Sequence, residues 1–388
     1  MTEAFRPARS VFHDFDCRHF RGDKPCAKAH GKACGPLLSE HSPCNSYQTL
    51  GHRILVLKLG ALGDVLRTTS LIPALRQRYP DCAIAWITKP AAMPLLSEAG
   101  LWKVLPWDVD AELWTRNLDW DIVISLDKEE GPTSLATQLT ARHAYGFGRN
   151  RHGLLTPLSA STEYLFQLGL DDEEKFHRNT RPYPQLIAEA CELDWDPNPY
   201  FMPLSESERT WADHASKGWG QGPFVGLNIG AGEAFAGKQW PMERFVELAR
   251  RLHDSGITPV FLGGEKEQAK YEQVQSHLKA PGIYPGCRFT LRQFAALVSR
   301  CQILVAGDTF AMHIGIATGS YCVTLFGSTT AREIEFYGNG QALIGQAPCA
   351  PCYRRVCPTH EECLQSISVD QVIQAVHQGL AAREKRRV

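Results

Sequence analysis

Four stretches of the 388-residue chain set glycines beside charged or hydroxyl side chains at what read as strand ends. The first is Lys58-Leu59-Gly60-Ala61-Leu62-Gly63-Asp64. Gly60 and Gly63 let the backbone turn sharply and let a substrate approach the strand end, and Asp64 opens the next helix, where a carboxylate also favours the helix by charge. The second is Asn228-Ile229-Gly230-Ala231-Gly232, followed by Gly237-Lys238-Gln239-Trp240-Pro241. Gly230 and Gly232 offer backbone N–H groups to a phosphate, and Lys238 is a point charge able to neutralise a diphosphate. The third, Gly307-Asp308-Thr309-Phe310-Ala311-Met312-His313, joins a strand to a small-residue helix whose N-terminus is an anion site. On the residues alone, Asp308 reads as an N-cap, and His313 reads as a core-facing, hydrogen-bonded histidine before it reads as a catalytic one. The fourth, Phe326-Gly327-Ser328-Thr329-Thr330, ends a strand in hydroxyls that receive phosphate or cap a turn.

Eight of the 13 cysteines fall in two groups. Cys349, Cys352, Cys357 and Cys363 form a four-thiolate set with a tight leading C-x2-C pair, which suits a structural zinc or iron, with His360 as a substitute ligand. Cys17, Cys26, Cys34 and Cys44 are spaced more loosely, with histidines between them. Metal ligation, reduced thiols and a disulfide all stay open for both groups. The other five sit in apolar contexts and read as small core residues.

These loops need elements to hold them. Residues 53–59, 83–88, 103–105 and 121–126 read as strands, with a helix over 64–78. A proline-rich, charged stretch at 172–205, with a helix near 185–191, reads as a connection. A second series then alternates: strands at 224–229, 259–262, 303–306 and 321–326, and helices at 242–255, 266–278, 291–299, 310–318 and 369–382. Two successive α/β halves, each a doubly wound parallel sheet, place the ligand in the cleft between them. The divisions are an irregular Cys-rich extension over 1–50, a first domain over 51–180, a second over 181–368 and a terminal helix segment over 369–388.

Composition excludes several classes. With 41 basic and 42 acidic residues, the chain lacks the basic excess of a nucleic-acid binder. No apolar run is long enough to span a membrane and the start does not read as a signal peptide, so a cytoplasmic protein is expected, with contact at the membrane surface left open. A Rossmann NAD site fits poorly: the spacing is GxxGD, not GxGxxG, and the second strand ends Ile87-Thr88-Lys89 without an acid for a ribose.

Taken in order, KLGALGDVLRTTSLIPALRQRYP at 58–80, GAG…KQWP, LGGEKE, GDTFAMHIGIATG and LFGSTT resemble the bacterial heptosyltransferases, glycosyltransferase family 9, over roughly residues 53–380. The resemblance implies a GT-B fold, two Rossmann-like domains facing a cleft, with a terminal helix returning to the N-terminal domain. It implies an inverting transfer from ADP-heptose in which Asp64 is the general base and Lys238 offsets charge on the leaving diphosphate, with no cofactor for catalysis. Asp308 would hold sugar hydroxyls, with Thr309 and His313 at the diphosphate. Glu265 or Glu267 would meet the ribose, and Phe289 and Thr290 the adenine. The acceptor would be lipopolysaccharide core, a protein or a small molecule, and family members with similar C-terminal cysteines carry iron. Phe310-Ala311 and Thr329-Thr330-Ala331 depart from the family pattern at the donor pocket. A nucleotide-sugar-binding protein without turnover would keep the same fold.

Overall fold

The computed structural model describes residues 16–26, 28, 44–230, 238–357 and 362–386. Two sheets organise them. The first contains β1 (Arg53–Leu57), β2 (Ala83–Thr88), β3 (Lys103–Pro106), β4 (Trp120–Ser125), β5 (Ala141–Arg149) and β6 (Leu155–Pro157), in the order β3-β2-β1-β4-β5-β6. All neighbours are parallel except the β5–β6 pair. Its helices are α1 (Leu62–Thr68), α2 (Leu71–Arg78), α3 (Val109–Arg116), α4 (Glu130–Gln138), α5 (Glu163–Gln167) and α6 (Tyr183–Ala190).

The second sheet contains β7 (Phe224–Asn228), β8 (Thr258–Leu262), β9 (Ile303–Gly307), β10 (Tyr321–Phe326) and β11 (Gly340–Ile344), all parallel, in the order β11-β10-β9-β7-β8. With it go α7 (Glu206–Ala215), α8 (Met242–Asp254), α9 (Gln268–Glu272), α10 (Leu291–Val298), α11 (Phe310–Thr318), α12 (Glu362–Gln365) and α13 (Val369–Lys385).

Strand order reverses at β1 in the first sheet and at β7 in the second. Crossovers leave such strands in opposite directions, opening a crevice beyond their carboxyl ends. The loops after β1 and β7 are the ones carrying Asp64 and Gly230. Strands β1, β2, β4, β7, β9 and β10 are buried almost throughout, as parallel strands covered on both faces require. One continuous apolar cluster spans both lobes, joining Leu66, Leu71 and Met202 to Leu297, Met312 and Ile314.

Several expectations need correction. The helix expected over 64–78 is two helices. Thr68, Thr69 and Ser70 turn their hydroxyls back onto the carbonyls of Asp64, Leu66 and Arg67 at 2.7, 2.6 and 2.9 Å. Pro73 then has no N–H with which to continue the ladder. The helix expected over 266–278 is α9 between a 3-10 turn at Glu265–Glu267 and a π turn at Gln273–His277. Helix α6 lies beyond the division drawn at 180, yet it packs on α1, α2 and β5 of the first lobe.

The terminal helix α13 does not turn back to the first lobe. It lies along β9, β10, β11 and α8, burying Val369, Val372, Ala375 and Val376 with the second sheet. The described part of the N-terminal extension closes on itself through a backbone β-bridge between Cys17 and Thr49 and is pinned to the first lobe by the Arg18 guanidinium, which donates to the Asp81 carbonyl at 3.0 Å. Among the described residues no helix is long and apolar enough to cross a membrane.

Candidate active site

The first side of the site grows from the end of β1. Lys58 is buried and forms an ion pair with Asp127 at 2.8 Å, while also donating to the Leu126 carbonyl at 3.1 Å. Asp127 follows the neighbouring strand β4. One of its oxygens accepts from the Gly60 N–H at 3.2 Å and the other from the Leu59 N–H. A buried lysine–carboxylate pair thus shapes the loop that launches α1. Burial opposes charge on Lys58, but Tyr183, Asp127 and Asp64 together raise its pKa.

Asp64 is the third residue of α1, not its cap; Ala61 stands at the N-cap and makes no side-chain bond. The Asp64 carboxylate pairs with Arg67 one turn on at 2.8 Å. Burial works to raise its pKa; Arg67, then Lys58 and His313, outweigh this and hold it below the usual carboxylate value. Asp64 therefore carries its charge at neutral pH.

The second side grows from β7, β9 and β10. Lys238 donates to the Asp308 carboxylate at 2.9 Å and to the Asp308 carbonyl at 3.1 Å. Thr329, just beyond β10, donates to the same carboxylate oxygen at 2.7 Å. Burial would neutralise Asp308, but the Lys238 charge and these hydrogen bonds keep its pKa low. Gly307 is required here because a Cβ on it would lie 2.8 Å from the Lys238 carbonyl oxygen.

Thr309 stands at the N-cap of α11 without a side-chain capping bond, and the helix begins at the carboxyl end of β9 with its first N–H groups free of intrahelical partners. His313, one turn in, is buried, and burial together with Arg67 lowers its pKa to about 4, so the ring is neutral. Among the described residues the Thr309 hydroxyl, the Ser328 hydroxyl and Nδ1 of His313 are buried polar atoms with no hydrogen-bond partner. Such atoms are costly unless something polar meets them.

Two cavities flank α1. One of about 560 Å³ is lined by Lys58, Asp64, Arg67, Lys128, Lys175 and Glu333, with Gly60 at its edge. The other, about 530 Å³, is lined by Gly230, Glu265, Glu267, Phe289, Thr290 and Thr309. The lobes meet between them, where Gly63 of α1 lies on the His313 ring and both Asp64 and Asp308 act on that imidazole. Most expected site residues are thereby brought into one crevice: Gly60, Gly63 and Asp64 on one wall, and Gly230, Glu265, Phe289, Thr290, Asp308, Thr309, His313 and Lys238 on or beside the other. Ser328 stands behind, its carbonyl accepting from the N–H groups of Cys352 and Tyr353 at 3.0 and 2.9 Å. Gly232 lies outside the described residues.

Reading the sequence missed Arg67, Asp127, Lys175 and Glu333. Arg67 carried a signal, since a cation three residues after Asp64 shares its helix face. Glu333 carried none, because it arrives from the other lobe.

The metal expectation rests on the two cysteine groups. Among the described residues no group of three or more His, Cys, Asp or Glu side chains is placed to hold a metal ion. Burial, with smaller contributions from Cys357, Cys352 and Cys349, pushes the Cys363 thiol up. The loop of the C-terminal cysteines buttresses the cleft: the Tyr353 ring stacks on Phe176 of the first lobe at 4.7 Å, and its hydroxyl accepts from the Thr330 N–H at 3.2 Å. Of the N-terminal set, Cys34 and also His360 lie outside the described residues, and Cys17, Cys26 and Cys44 form no ligand group.

Comparison with known proteins agrees with this architecture. Lipopolysaccharide heptosyltransferase 1 of Pseudomonas aeruginosa is 26% identical over 341 residues, spanning 80% of this chain and 89% of its own. The crystal structure of a family 9 glycosyl transferase from Veillonella parvula superposes with a TM-score of 0.69 at 23% identity, covering 85% of this chain and 98% of that one. E. coli ADP-heptose lps heptosyltransferase II superposes at 0.63 with 19% identity, over 86% and 99% of the two chains. Both carry the same GT-B arrangement of two parallel-sheet, Rossmann-like lobes. The family model described as Glycosyltransferase family 9 (heptosyltransferase) matches residues 115–362, well over half of the chain. With a paired-lobe crevice of this kind and a match of that extent, the chain is a glycosyltransferase and belongs to glycosyltransferase family 9, the heptosyltransferase family.

Proposed function

We propose that this enzyme transfers a heptosyl group from ADP-heptose to a hydroxyl of a lipopolysaccharide-core acceptor, in one displacement with inversion, at the cytoplasmic face of the inner membrane. The observation that carries the reading is the contact of the two lobes at Gly63 and His313, between the two cavities, with an ionised carboxylate, Asp64, on the one side and Lys238–Asp308 on the other.

In this reading the donor's nucleoside occupies the cavity of Phe289, Thr290 and Glu267 or Glu265, with aromatic and amide surface against the base and a carboxylate for the ribose hydroxyls. Its diphosphate reaches the start of α11, where Thr309, the helix N–H groups and Lys238 offset the charge that grows as the anomeric bond breaks. Asp308 accepts from sugar hydroxyls. The acceptor enters the other cavity, whose Lys128 and Lys175 suit an acidic saccharide. Asp64 takes the proton of its attacking hydroxyl, the new bond forms at the anomeric carbon, and ADP leaves on the opposite face. The names of the relatives support both substrates: one is a lipopolysaccharide heptosyltransferase, another an ADP-heptose enzyme.

The test is a thermal-shift panel of nucleoside diphosphates and their sugars, followed by turnover with the best donor. ADP and ADP-heptose should raise the melting temperature most, by linkage. Asp64→Ala should abolish transfer while ADP still binds. Equal indifference to every ADP compound would remove the donor assignment, and full turnover by Asp64→Ala would remove the base.

A further inference from the structure

Arg67 is a single cation shared by two carboxylates on different lobes. Its Nη2 lies 2.8 Å from Oδ1 of Asp64 and its Nη1 lies 3.3 Å from Oε2 of Glu333. Glu333 ends the turn Ala331–Glu333 after β10, so it is delivered by the second sheet. The guanidinium also rests on the Tyr183 ring of α6, with Cζ 3.8 Å from the ring centroid, a cation–π contact that favours this placement between the two carboxylates. A second first-lobe cation, Lys175, approaches the other Glu333 oxygen at 3.6 Å.

We infer that Glu333 is a positioning residue that sets the basicity of Asp64 through Arg67, coupling proton removal from the acceptor to the apposition of the second lobe. The inference rests on the reading of Asp64 as the base. The full charge of Arg67 on Asp64 alone would make that carboxylate a poor proton acceptor. A second carboxylate on the same guanidinium takes part of that hold away, and it is present only when the lobes are together.

The surrounding charges leave Arg67 as the variable partner. Lys58, from the end of β1, is engaged by Asp127, which follows β4. His313, from α11, is neutral at physiological pH. Lys128 has its pKa lowered by burial and by Lys175 and Lys58. Tyr183 faces the group from α6 with its ring. The direction of the shifts agrees: Asp64 and Glu333 both raise the pKa of Arg67, while Arg67 is the largest influence lowering that of Asp64 against burial.

The experiment is the pH dependence of kcat/KM for heptosyl transfer from ADP-heptose, in wild type and in Glu333→Gln, Arg67→Gln, the double variant and Asp64→Asn. Glu333→Gln should move the acid limb down by about one pH unit and lower the plateau kcat roughly threefold, with donor KM little changed. Arg67→Gln should move the limb up. In the Arg67→Gln background the Glu333→Gln shift should shrink to under about a third, since its route is gone. Glu333→Asp, which keeps the charge, should restore most of the wild-type profile.

A rate loss in Glu333→Gln with an unmoved limb overturns the inference, as does an equal shift with and without Arg67. Should Glu333→Gln not fold, Lys175→Met gives the same test with opposite sign, because releasing Glu333 toward Arg67 must raise the limb; an unmoved limb there is equally fatal. Turnover retained by Asp64→Asn would instead remove the base reading itself.

Discussion

Gly63 stands so close to the imidazole of His313 that a Cβ on it would lie 2.5 Å from Cδ2 of the ring. The second glycine of the Gly-Ala-Leu-Gly-Asp loop therefore does more than let the chain turn. It allows helix α1, with Asp64, to seat directly on helix α11, whose first residues line the second cavity. The two lobes meet along a surface with no room for one methyl group.

From this contact Gly63→Ala should lower kcat by about 10- to 100-fold, since overpacking a closed interface costs about 1–3 kcal/mol and here displaces Asp64 from the opposing loop. Each lobe keeps its own sheet, so the melting temperature should fall by only a few degrees. Steady-state kinetics beside calorimetry separates the two effects. Wild-type turnover in Gly63→Ala would show that the lobes need not touch there during reaction.

Lys238 is held 2.9 Å from the Asp308 carboxylate, beside the start of α11. In the proposed reaction a lysine so placed offsets the charge that grows on the leaving diphosphate. Lys238→Met should thus cost about 10²–10³ in kcat, the scale of removing one preorganised charge-stabilising donor. Lys238→Arg should recover part of it. Equal kcat with only a raised donor KM would recast Lys238 as a binding residue.

Much of the frame could be read before the structure. Strands β1, β2 and β4 are unbroken apolar runs because both their faces are covered, and short runs of that kind flanked by turns are legible. Strand β5 was not, because its first half, Ala141-Arg142-His143-Ala144, is partly exposed and Gly146 and Gly148 interrupt the rest. Edge strand β11 is half-exposed and carries too few apolar residues to announce itself. The apolar stripe of α13 predicted a helix, but a stripe says nothing about which sheet it will cover. At the site, the loops carrying Asp64, Asp308 and His313 were visible as glycine-rich strand ends. Glu333 reaches Arg67 from 266 positions along the chain, and a pairing of that separation leaves no local pattern.

Phe289 lines the cavity at the carboxyl end of β7 and β8 and meets the Trp211 ring edge-on, with centroids 6.0 Å apart. An aromatic face held by a second aromatic is a stacking platform for a base. Phe289→Ala should raise the KM for the nucleotide-sugar donor by about tenfold, near the energy of one such contact, and leave the acceptor KM unchanged. A matched rise in both constants, seen in initial-rate kinetics with each substrate varied, would place the ring elsewhere in the reaction.

Stability should carry its own pH signature at the α7–α10 contact. Arg292 is buried and donates from Nε and Nη2 to the two Glu208 oxygens at 2.7 and 2.6 Å, while Nη2 also reaches the Pro203 carbonyl at 2.6 Å. Glu208 is in turn the third residue of α7 and closes a capping box with Ser205. The hydrogen bonds from Arg292, more than any other influence, hold the Glu208 pKa below its ordinary value, against burial. A carboxylate whose folded pKa is depressed stabilises fully above its unfolded pKa, about 4.3, and loses that contribution as pH falls through the folded value. Melting temperature should therefore decline below about pH 4.5 more steeply in wild type than in Glu208→Gln. At neutral pH Glu208→Gln should cost about 2–3 kcal/mol, less than the full price of breaking a buried pair because the carboxylate is partly exposed. Urea titrations from pH 3 to pH 7 measure both, and parallel pH profiles for the two proteins would mean that this ion pair is not what acid removes.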